Sequence, residues 1–210
     1  MTDFVRRRNL GIFTAATLAS GWVGLGVNRL TGTPDSLDSP GAGLWLVLPL
    51  ATSAVLRVAG SGWRRTGISP RLPSTAGWYV AGALIYPAVT AGVLGLGRAL
   101  GWVDTTSLNL RTLGTAMVAG LGLGVVKNFF EESVWRGYLT EDLLPDARRL
   151  GSRGDLGLYL GVGLVWGLWH LPYYLYLLDD ATMRSVFDGP RWALALLATA
   201  TMVGWSVMYT

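Results

Sequence analysis

Six stretches of this chain contain no Asp, Glu, Lys or Arg: Asn9–Asn28, Ser39–Leu56, Leu72–Gly97, Thr112–Val126, Leu156–Leu178 and Trp192–Thr210. No other feature limits the fold as strongly. A helix that crosses roughly 30 Å of hydrocarbon needs about 20 mostly apolar residues, and every run except Thr112–Val126 is long enough. Charged residues are 14% of the 210, where an average soluble domain has about 25%; that is too few to cover a water-facing surface. The 51% hydrophobic content excludes disorder. Without Cys, a disulfide scaffold, a Cys-based zinc site and a thiol nucleophile are excluded too. The expected fold is all-α: a polytopic integral membrane helical bundle of about six transmembrane helices, forming a single membrane domain over residues 1–210.

The fourth run is short, but no helix breaker follows it through Lys127, Phe129, Phe130, Glu131, Glu132 and Trp135. A helix of about 25 residues there carries charge to membrane depth, where ionisable groups face a cavity or a partner. The first run follows Arg6-Arg7-Arg8, as in a signal peptide. It exceeds the usual apolar core of about 7–15 residues and ends in no small-x-small site, so it reads as an uncleaved helix. Loops on the side of the N-terminal tail carry ten Arg or Lys and the opposite loops five, leaving out Lys127 and Arg136. This asymmetry sets both termini on the cytoplasmic side of what is expected to be a bacterial cell membrane. The net charge of +4 then reflects loops that face anionic lipid. The arginines form no basic stripe, so no nucleic-acid partner is expected. Glycines such as Gly21, Gly24, Gly26, Gly157, Gly161 and Gly163 read as close helix contacts, and no phosphate-binding glycine pattern occurs.

Two segments put chemistry-bearing side chains in apolar surroundings. In Glu131-Glu132-Ser133-Val134-Trp135-Arg136, Glu132 and Arg136 stand at i, i+4 and can pair. Glu131 lies about 100° round the helix, outside that local pair, and is the better candidate for a base. In Trp166-Gly167-Leu168-Trp169-His170-Leu171-Pro172, the only His of the chain precedes a proline that bends the helix by freeing the carbonyl of Leu168. Each segment alone is as well read as a helix end or a packed histidine. Together, on successive spans, a Glu and a His form a pair suited to activating water, directly or through a metal. Along the helices, His170 lies roughly 21 Å from Leu156 and Glu131 roughly 29 Å from Thr112. A shared site therefore needs a deep-set fourth helix and some tilt.

Glu131-Glu132-x-x-x-Arg136, with Phe129, Phe130 and Gly137-Tyr138-Leu139 around it, and Trp166 to Pro172 after it resemble the first two signatures of the CPBP intramembrane proteases. This is the family of CAAX prenyl proteases, bacteriocin-processing proteins and abortive-infection domains. The likeness runs over residues 72–210. It implies a membrane endopeptidase, a hydrolase acting on a peptide or protein substrate within the lipid bilayer. In that family the glutamate matching Glu131 and the histidine matching His170 activate water, while the positions of Glu132 and Arg136 shape the site. Metalloprotease chemistry, with zinc on Glu131 and His170, is a further implication.

The second signature has Trp166 where Phe is frequent, and the family's third motif, His-x-x-x-Asn on a later helix, has no counterpart. The sequence is then expected to be either part of a longer protein or a short member that is inactive or weak. Two other classes stay open: a non-catalytic membrane protein that binds a peptide or confers bacteriocin self-immunity, and a small proton-coupled transporter. The transporter is disfavoured by the lack of an internal repeat.

Overall fold

The computed structural model describes residues 2–61, 72–106 and 108–208. Eight α-helices and no strand occur among them: α1 Asp3–Thr31, α2 Pro40–Leu56, α3 Leu72–Ala99, α4 Leu110–Val134, α5 Glu141–Arg149, α6 Ser152–Trp169, α7 Asp180–Val186 and α8 Arg191–Met208. Wider, π-type turns cover Arg57–Ser61, Trp135–Thr140 and Tyr173–Leu177. Five stretches among the described residues are long and apolar enough to cross a membrane: Asp3–Thr31, Pro40–Gly60, Thr75–Ala99, Leu110–Arg149 and Arg191–Met208. The protein is an all-α polytopic membrane bundle.

The helix boundaries follow local chemistry. The Thr2 hydroxyl accepts from the Val5 N–H at the start of α1. Gly32, with φ 68°, ends that helix while Thr33 N–H reaches the Asn28 carbonyl at 2.9 Å, a left-handed cap that glycine adopts without strain. Ser39 caps α2 and Pro40 follows it, where the missing N–H of proline costs nothing. Asp179 caps α7, and the Thr182 N–H holds its carboxyl below the usual carboxylate range.

The fifth apolar run departs from expectation. Leu156–Leu178 is not one helix, because α6 stops at Trp169 and His170 is its terminal residue. Pro172 lacks an N–H and crowds the carbonyl four residues back, so the chain re-forms as the Tyr173–Leu177 turn. The fourth run behaves as expected, with α4 spanning 25 residues.

The chain divides into two compact units, Met1–Gly67 with Glu131–Thr210, and Ile68–Phe130. In the second unit Asp104 accepts from the Thr106 N–H at 2.8 Å, and Asn109 from the Arg111 and Thr112 N–H groups at the head of α4. In the first unit α1 packs on α2, and α6 on α1, α5 and α8. Trp135, Tyr138, Phe13, Leu139 and Val162 are fully buried there. Ile12, Trp22, Val47, Val55, Leu196 and Leu197 face outward, an apolar exterior of the kind that meets lipid.

Small residues set the closest contacts. A Cβ on Gly24 would lie 2.2 Å from the Gly41 carbonyl oxygen, and one on Gly163 would lie 2.7 Å from Val203 Cα. Around Gly26, Gly157 and Gly161 there is open space, so the close-contact reading holds for only part of the glycine set. Asn28 is wholly buried beside the Gly24–Gly41 crossing. Its amide donates to Asp35 and Ser39 at 3.0 Å each and accepts the Gly41 N–H at 2.9 Å, satisfying polar groups that hydrocarbon would leave unbonded.

At one end of this unit α1 is tied to α5. Arg6 donates to the Asp142 carbonyl and to Asp146 at 2.9 Å, and Arg149 meets Asp3 at 2.7 Å.

Candidate active site

Helix α4 delivers the acidic pair and then opens into the Trp135–Thr140 turn. Such wide turns interrupt regular i→i−4 bonding and recur at functional positions. Here Thr140 Oγ1 donates to the Trp135 carbonyl at 2.8 Å. The Gly137 carbonyl accepts from Arg57, whose guanidinium also lies 5.2 Å from the Tyr138 ring centroid.

Arg136 Nε lies 3.6 Å from Glu132 Oε2, the i, i+4 pairing that the spacing predicts. The pair is more open than a buried one, with the Glu132 side chain 53% exposed and that of Arg136 24%. The guanidinium also sits 5.5 Å from the Trp166 ring centroid. Glu131 is half-buried, with Oε1 shut off from solvent.

His170 is buried at the end of α6. Its Nδ1 is 2.9 Å from the Trp166 carbonyl. A carbonyl only accepts, so Nδ1 carries the hydrogen, and in the neutral ring Nε2 presents the lone pair. Aromatic rings surround the imidazole: Trp169 at 4.6 Å, Trp45 at 5.8 Å, Tyr174 at 6.1 Å, Trp166 at 6.2 Å and Tyr173 at 6.4 Å between centroids.

The two motif segments meet through tryptophans. Trp135 lies 6.2 Å from Trp166 and 5.3 Å from Trp169. With Arg136 on the Trp166 ring and His170 on the Trp166 carbonyl, one residue touches both motifs. The sequence points to the four polar residues but not to their supports. Trp45 donates its Nε1–H to the Trp169 carbonyl at 3.0 Å, and Trp169 donates to Ser20 Oγ at 3.1 Å. An aromatic residue in an apolar run was the only signal for Trp45.

Among the described residues no group of three or more His, Asp or Glu side chains is placed to hold a metal ion. A catalytic zinc normally takes three protein ligands, so zinc on Glu131 and His170 would lack a third there.

Fold and site together describe an all-helical membrane protein in which a paired-acid segment packs against a histidine-ended helix. Residues 112–210 match the model of the family described as Type II CAAX prenyl endopeptidase Rce1-like. The match covers the C-terminal region, just under half of the chain. No curated protein and no solved structure matches the chain significantly.

Proposed function

We propose that this protein is an intramembrane endopeptidase in which Glu131 and His170 share one water. The supporting observation is the register of the antiparallel α5–α6 arm. Gly154 lies against the Ala147 carbonyl, and Trp135 against Trp166. One arm runs twelve residues back and the other twelve forward between these contacts. Four residues further along each arm come Glu131 and His170. Counted in residues from the α5–α6 junction, the two are equally far along their arms, which supports a shared depth that the counts from Thr112 and Leu156 do not.

The chemistry follows from the groups themselves. Glu131 takes a proton from water as the oxygen bonds to the scissile carbonyl carbon. His170 Nε2, held as an acceptor by the Nδ1 bond, orients that water. Glu131 then returns the proton to the leaving amine as the C–N bond breaks. Glu132 and Arg136 fix the end of the acidic helix. The substrate class that fits the family match is a peptide with a prenylated CAAX terminus, and the N-terminal arginines lie on the cytoplasmic side.

The test is cleavage of a quenched-fluorescent farnesylated CAAX peptide by protein in nanodiscs. Glu131→Gln or His170→Ala should lower kcat by at least about 10²-fold, the usual contribution of a positioned acid–base group. Cleavage by Glu131→Gln at the wild-type rate would overturn the proposal.

A further inference from the structure

We infer, resting on the protease reading above, that Trp45 and Arg57 are positioning residues supplied by the N-terminal helix pair. Each holds one motif segment by a main-chain carbonyl oxygen. Both donors lie outside residues 112–210, the region matched by the family.

Arg57, at the end of α2, is 5% exposed and donates to the Gly137 carbonyl while covering the Tyr138 ring. Gly137 follows Arg136 inside the Trp135–Thr140 turn, where regular helix bonding is interrupted. A buried guanidinium is a costly device unless its hydrogen bonds and packing are satisfied, and here they fall on the turn that carries the first motif. Trp45, on α2, is 4% exposed. Its indole N–H holds the carbonyl of Trp169, the residue before His170. Its ring stacks on Trp169 at 4.6 Å and on Tyr173 at 5.5 Å, so it grips the helix end on both sides of the imidazole. The last carbonyls of a helix lack the N–H partner found mid-helix, and Trp45 supplies one. Helix α1 reinforces this grip through the Trp169 bond to Ser20. One helix pair therefore fixes both halves of the site without contributing a reacting group.

Trp45→Phe keeps a stacking ring and removes only the donor. Arg57→Met removes charge and donors, and Arg57→Lys restores the charge. The protein in nanodiscs is assayed on the farnesylated CAAX peptide, with kcat taken per folded molecule. Trp45→Phe and Arg57→Met should each lower kcat tenfold or more, with KM within twofold. Misplacement of reacting groups by about 1 Å costs up to roughly 10²-fold. Arg57→Lys should recover part of the loss. Amide exchange should speed up locally, over His170–Leu178 in Trp45→Phe and over Trp135–Asp142 in Arg57→Met. A residue that merely stabilises the fold would lower the folded fraction and leave kcat per folded molecule unchanged. That outcome, or exchange that is unchanged or raised evenly along the chain, overturns the inference. If wild type does not cleave but the local exchange changes occur, the two residues still position these segments and the protease reading falls.

Discussion

Arg136 contacts the Glu132 carboxylate and the Trp166 ring, and the exposure of these contacts bears on what the residue is worth. Loss of a fully buried ion-pair partner costs about 3–5 kcal/mol, and burial would be the expectation for charges at membrane depth. With Glu132 about half exposed, the ion pair falls toward the 0.2–1 kcal/mol of open pairs. The cation–π contact adds about 0.5–2 kcal/mol. Arg136→Ala should therefore lower the unfolding midpoint in detergent by several degrees rather than abolish folding, at roughly 2–4 °C per kcal/mol. Arg136→Lys should recover only part, because an ammonium lacks the flat face that stacks on an indole. A midpoint unchanged in Arg136→Ala would show that neither contact forms. At this scale the i, i+4 pair was legible in the sequence because helix geometry alone determines it. Trp45 and Arg57 were not, because their partners are carbonyl oxygens, and every residue has one.

The α1–α2 crossing is a close contact between helices, and glycine permits it. A methyl group on Gly24 has a backbone carbonyl in its place, whereas one on Gly26 meets nothing within 4 Å. Gly24→Ala should destabilise on the order of 1–3 kcal/mol, as overpacking does. Gly26→Ala, two residues along the same helix, should be neutral or stabilising by up to about 1 kcal/mol. Thermal unfolding of the two variants in one detergent checks the pair, and equal effects would contradict the crossing. Apolar run lengths located α1, α2, α3 and α8 well, since a stretch free of charge marks a span directly. The same rule failed for Leu156–Leu178, because hydropathy is blind to a proline that ends a helix within an apolar run. It also stopped short of the continuous Leu110–Arg149 stretch, whose α5 end is amphipathic and charged. That stretch sets the register on which the shared-water proposal depends.

For the whole molecule, the Arg6–Asp146 and Arg149–Asp3 bonds place the start of α1 and the end of α5 together. Because the chain has no cysteine, single replacements can be labelled from one side of the membrane without altering anything else. Cysteines at Arg8 and Arg148 should react with an impermeant reagent from the same side, and one at Asp38 from the opposite side. Equal labelling at Arg8 and Asp38 would show that α1 does not cross. The arginine asymmetry leads to the same expectation, with residues 148 and 149 on the side of the N-terminus. The Arg149–Asp3 bond also has a consequence in time. It joins residues 146 positions apart. At about 5–20 residues per second, the ribosome makes Asp3 on the order of ten seconds before its partner exists. The first two helices must wait that long in the bilayer, and Asn28, Asp35, Ser39 and Gly41 find hydrogen-bond partners within the α1–α2 hairpin itself. The hairpin thus carries its own polar partners through the interval and can receive the later helices already formed.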